Sequence, residues 1–132
     1  MTTTSQTERP RLKFPSAAYQ FMWQALQYTQ KRLRRPAPQD PDDQDAHISG
    51  RELLEGIRLF AREQFGLLAI AVFRQWGVHT TEDFGRIVFE MVERGEMSKT
   101  DRDRLSDFCD VYEFDEVFDR DYRVETRRLR AR

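Results

Sequence analysis

The sequence predicts an all-α fold, a compact bundle of four to five helices. A small β-hairpin near residues 96–114 stays open as an alternative for part of it. Three observations carry this expectation. Ser49 and Glu52 form a capping box, with Ile48 and Leu53 placed as the flanking hydrophobic staple. Apolar residues recur at helical spacing in four successive segments. Gly66, Gly77 and Gly95 each stand just past an apolar stretch, where a helix is best ended.

The first helix is expected to open at Phe14-Pro15-Ser16, because proline suits a first turn whose amide has no partner. Tyr19, Met22, Trp23, Leu26 and Leu33 make one apolar face, and Phe21, Ala25 and Tyr28 a second. A helix apolar on two faces is expected to lie between partners. Lys31, Arg32, Arg34 and Arg35 favour its C-terminal end, where cations meet the negative dipole.

The second helix runs from Gly50 to about Phe65, with Leu53, Leu54, Ile57, Phe60, Ala61 and Phe65 inward and Arg58 and Arg62 outward. A mid-helix glycine costs about 1 kcal/mol relative to alanine, so Gly66 is read as a break. Leu67 to Phe73 is apolar throughout and predicts a helix buried on most sides. Thr80 with Asp83 repeats the capping pattern and starts a helix with the stripe Phe84, Ile87, Val88, Met91 and Val92. Ser98 or Thr100 caps a short acidic fifth helix carrying Leu105, Phe108 and Cys109. For 111–118 the pattern fits either a short strand or a helical turn.

These elements divide the chain into an arm at 1–13, a helical domain at 14–119 and an arginine-rich tail at 120–132. The arm is polar and reads as disordered; the tail reads as fraying or dependent on a partner. Within the domain, 36–46 (PAPQDPDDQDA) reads as an extended acidic loop. No internal repeat is visible.

The net charge of −1 hides strong segregation. The balance is +6 over 1–35, −4 over 36–47, −6 over 96–119 and +4 over 120–132. Arginine's planar fork suits phosphate and carboxylate, although a GC-rich coding bias yields the same excess. The candidate binding residues are Arg32, Arg34, Arg35, Arg127, Arg128 and Arg130. An RNA footprint would add Arg9, Arg11, Lys13 and Arg132, with Tyr19, Trp23 and Tyr28 able to stack. The near-zero net charge works against it, and so does core spacing of those aromatics. DNA reading is not expected, since a recognition helix at Thr81 would lead with Glu82 and Asp83.

Catalytic signals are weak. His47 and His79 are the two histidines, each just before a helix start, and a general base there would need an orienting acid and a pocket. Cys109 lies among carboxylates that raise a thiol pKa, the wrong direction for a nucleophile. The acidic run from Asp101 to Glu116 lacks a calcium-loop pattern. P-loop, dinucleotide, zinc-protease and nucleophile-elbow motifs are absent. A single cysteine excludes an internal disulfide and points to a reducing cytosol. The longest apolar run is too short to span a bilayer. No enzyme activity, cofactor, metal or membrane partner is expected.

Four stretches carry a resemblance. They are AYQFMWQALQYT in the 17–29 region, HISGRELLEGIRLFAREQFG at 47–66, AVFRQWGVHTTEDFGRIVFEMVERGEMSKTDRD at 71–103 and DFCDVYEFDEVF at 107–118. They resemble a family of small bacterial proteins sharing HxSGxELLxGIR and WGVxxTxDFGxIVF. The resemblance implies one stand-alone cytosolic domain and carries no activity. The acidic loop and the arginine tail depart from it. The resulting expectation is a helical protein-interaction module, its partner another protein or a second copy of itself. An RNA- or ribosome-associated protein using the arginine ends is the alternative.

Overall fold

Residues 12–35, 47–99 and 103–130 are described by a computed structural model of the chain. The fold is all-α. Among the described residues five helices follow in order: α1 Ser16–Arg32, α2 Gly50–Phe65, α3 Ala69–Gln75, α4 Thr81–Glu93 and α5 Asp121–Arg130. Short 3₁₀ turns occupy Gly66–Leu68 and Leu105–Phe108, and a wide π turn over Glu116–Arg120 leads into α5. The acidic loop 36–46, the arm 1–11 and Thr100 lie outside the described residues.

The predicted starts and stops are where the chain uses them. Ser49 Oγ accepts from the amide of Glu52, and the Glu52 carboxylate accepts from the amide of Ser49. Thr80 and Asp83 do the same for α4. Gly66, Gly77 and Gly95 all adopt positive φ, at 56°, 79° and 77°, so a side chain at any of them would be strained. Beyond Gly95 the amide of Glu96 donates to Met91 O at 2.8 Å, closing the end of α4.

Phe73 on α3 is fully buried and organises the core. The rings of Phe21, Phe65, Trp76, Phe84, Phe114 and Phe118 surround it, with centroids from 5.1 Å (Phe84) to 6.1 Å (Phe65) away. Helices α1 and α2 approach most closely at Thr29 and Gly56. A Cβ on Gly56 would sit 1.8 Å from Thr29 Oγ1, so only glycine fits there. Phe108 is wedged between two more glycines: a Cβ on Gly85 would lie 2.7 Å from its ring and one on Gly50 3.0 Å away. Thr81 Oγ1 fixes that wedge, donating to Phe108 O at 2.5 Å and accepting from the amide of Val111 at 3.2 Å.

Several details differ from the sequence expectation. The hairpin is not formed: the described residues of 96–114 make turns, a 3₁₀ segment and the start of a helix, with no strand among the described residues. Phe114, Val117 and Phe118 all face the core, which settles the helical alternative. The short fifth helix shrinks to the 3₁₀ turn at Leu105–Phe108. Trp23 is 44% exposed, because α1 turns only one side to the bundle and Trp23 falls beyond its edge. Arg62 is buried, not outward. Leu67 and Leu68 are exposed, because the 3₁₀ turn after Gly66 swings them off the core before α3 begins.

Candidate docking surface

Helix α5 owes its position to Arg62. The guanidinium enters the core side of α2 and donates from Nη2 and Nε to Val117 O, at 2.7 and 3.2 Å. Its Nη1 lies 2.6 Å from Glu125 Oε2, and its Cζ stands 5.7 Å above the Tyr122 ring. A cation held by a carbonyl, a carboxylate and a ring face meets the demands of burial. In the sequence Arg62 stands at the margin of an apolar stripe; nothing local shows that a segment 55 residues later will cover it.

With α5 fixed, its arginines stand beside the exposed leucines. Leu67, Tyr122, Arg123, Thr126 and Arg127 line an open cleft of about 340 Å³. Leu67 is 48% exposed, and Leu68, its neighbour in the chain, 67%. Arg123 is paired with Asp119 one turn earlier. Arg127 and Arg128 are exposed and make no ion pair with any described residue. The tail expected to fray is thus helical over Asp121–Arg130. The leucines were expected in the core, so sequence reasoning missed half of this surface.

The other candidate arginines are not gathered here. Arg32 and Arg34 are exposed at the end of α1. Arg35 instead closes the fold: its Nη1 donates to His47 O at 3.1 Å and to Glu52 Oε1 at 2.6 Å. Burial opposes the charge on Glu52, but hydrogen bonds from Arg35 and Ser49 outweigh it and lower the carboxyl pKa. The side chains of Arg130 and Arg132 lie outside the described residues.

His79 has a structural place, its amide donating to Asp83 Oδ2 at 2.8 Å. His47 does meet an acid. Its Nε2 is 2.7 Å from Asp103 Oδ2, at ion-pair distance but without the alignment of a hydrogen bond. The cavity beside it, walled by Leu26, Leu53, Val88, Phe89 and Phe108, measures about 60 Å³. That is room for roughly two waters. Loss of solvent, with Glu82 and Asp110 nearby, pushes the Cys109 thiol pKa up, away from a reactive thiolate. Among the described residues no group of acidic, histidine or cysteine side chains is placed to hold a metal ion. None of the described helices is long and apolar enough to cross a membrane.

Trp23 forms a second opening, of about 490 Å³, with Tyr19, Gln20, Gln24, Met91 and Glu96. Beneath it Tyr19 donates to Glu90 Oε1 at 2.5 Å, and Arg94 lies 5.5 Å over the tyrosine ring. Burial and that carboxylate push the Tyr19 pKa up to about 12. This corner is tied together internally. Comparison of the chain with family models, with curated proteins and with solved structures finds no match.

Proposed function

We propose that the protein works by binding another protein, without catalysis, at the surface made by Leu67, Leu68 and α5. One observation carries this reading: two neighbouring leucines project into solvent beside a cleft whose other wall is arginine. Burying a leucine side chain is worth about 1.5–3 kcal/mol, so leaving two exposed is unfavourable unless something covers them. Arginine and tyrosine, both of which line the cleft, are also among the residues that dominate interface energetics. The small cavity at His47 and the raised thiol of Cys109 support a non-catalytic role. On this reading the protein works in a reducing compartment, which its single cysteine supports.

The test is affinity purification of the tagged chain and of a Leu67→Ser/Leu68→Ser variant from the native host, with and without nuclease. Both leucines are exposed, so the variant should keep its circular dichroism spectrum. The reading expects a partner set that survives nuclease and is lost in the variant. An unchanged set in the variant would refute it.

A second reading, RNA association, is favoured by Arg127 and Arg128, which are exposed and make no ion pair with a described residue. Arginine-to-phosphate contacts weaken steeply with salt. Leucines contribute nothing to such contacts, and the nearby Tyr122 ring is occupied by Arg62. Reversal of both arginines to glutamate should abolish co-sedimentation with RNA if this reading holds; retained binding would end it.

A further inference from the structure

The cleft beside Leu67 has fixed walls. Tyr122 is held by the Arg62 guanidinium, 5.7 Å from its ring centroid. The Tyr122 hydroxyl lies against Gly66, where a Cβ would sit 3.5 Å from it, and it has no hydrogen-bond partner among the described residues. Thr126 has spent its own hydroxyl, which donates to Tyr122 O at 2.7 Å. The remaining wall is Arg123 and Arg127, one turn apart on α5.

The charge of this cleft is one-sided. Among the described residues no carboxylate lines it. Over 122–128 the one acid is Glu125, which is already paired with Arg62. Asp119 holds Arg123, whereas Arg127 and its neighbour Arg128 make no ion pair with a described residue. The helix dipole favours cations at this end of α5, but it gives no reason for them to stand beside exposed leucine. The donors left over at the cleft are thus the Arg127 guanidinium and the Tyr122 hydroxyl. A planar guanidinium matches a carboxylate through two parallel hydrogen bonds. A free anion would leave Leu67 and Leu68 uncovered, so the complementary group is a carboxylate carried next to an apolar side chain.

We infer that this cleft takes an acidic peptide segment of a partner protein, with an apolar side chain against Leu67 and a carboxylate on Arg127. The inference rests on the binding reading above and names the chemistry of its partner. The carboxylate contact is exposed and weakens as salt rises; the leucine contact does not.

Selection of random peptides displayed on phage tests it, using the full chain at low salt and counter-selection on Leu67→Ser/Leu68→Ser. The retained peptides should carry Asp and Glu in excess of Lys and Arg, next to large apolar residues. A synthetic copy of the most frequent peptide should bind at least tenfold more weakly once its carboxylates are replaced by amides, the size expected for a hydrogen bond between charged groups. Arg127→Gln should weaken the acidic peptide by a similar factor and leave the amide peptide unchanged. Fluorescence anisotropy reads these affinities, and circular dichroism confirms that each variant folds. A neutral or basic pool that still needs the leucines overturns the acidic assignment alone and leaves the binding reading in place. An equal loss on amide replacement in wild type and Arg127→Gln puts the carboxylate elsewhere and overturns it too. So does a pool no richer on wild type than on the leucine variant; polyuridylate bound through Arg127 in that case makes the site one for nucleic acid, and the affinity purification above decides the binding reading by itself.

Discussion

Arg62 donates twice to the carbonyl oxygen of Val117, from Nη2 at 2.7 Å and Nε at 3.2 Å. The backbone is wide at that point, with the amide of Asp121 reaching back to Glu116 O. The guanidinium thus ties the π turn, and through Glu125 the helix after it, onto α2. Arg62→Gln removes the cation, its ion pair and its paired donation to Val117 O, and a hydrogen bond from a charged donor is worth about 1.5–3 kcal/mol. Denaturant unfolding should show that loss. Amide exchange over residues 121–130 should rise well before exchange in α2 does. Uniform exchange across both helices would contradict the tie.

The α1–α2 crossing depends on a missing Cβ. Gly56→Ala would place that atom 1.8 Å from Thr29 Oγ1, and forcing an extra carbon into such a site costs about 1–3 kcal/mol. Combining it with Thr29→Ala, which removes the nearest atom, should recover part of the loss. The comparison is read from thermal midpoints of the two single variants and the pair.

Trp23 and Phe73 should behave oppositely. Phe73 is fully buried at the centre of the aromatic cluster, whereas Trp23 is 44% exposed. Phe73→Ala should cost about 3–5 kcal/mol, and Trp23→Ala should stay within about 0.5 kcal/mol of wild type. Chemical denaturation separates the two; comparable losses would mean that Trp23 belongs to the core after all.

Glu52 supplies a pH signature. Its carboxyl pKa is lowered in the folded chain. A depressed carboxylate contributes stability that is present above its unfolded pKa and lost as pH falls through the folded value. Wild-type stability should therefore decline on the acid side of the ordinary carboxylate range. Glu52→Gln should start lower at neutral pH and fall less steeply on acidification. Denaturation curves at several pH values measure this; parallel declines would contradict the assignment.

The helices were legible because their signals are local. Ser49 with Glu52, Thr80 with Asp83, and the three stop glycines need only neighbours a few residues away, and each is used as the sequence predicts. The close approaches were not legible, since Gly56 and Thr29, or Phe108 and Gly85, meet only after the helices dock. The docking surface was half legible. Charge segregation pointed to Arg127 and Arg128, but hydrophobicity alone sent Leu67 and Leu68 to the core. Periodicity is blind there, because a 3₁₀ turn three residues long carries no helical phase. Arg62 failed for the converse reason: its partners lie on a distant segment, and an arginine on a helix margin reads as solvent-facing.

On the proposed reading, the leucine–arginine surface is where this protein meets another. A photo-crosslinking residue at position 68, compared with one at the exposed position 93 on α4, tests it directly in the native host. Protein adducts are expected at 68, resistant to nuclease and lost on reversal of Arg127 and Arg128, with none at 93. Equal adducts at both positions, or none at 68, would contradict it.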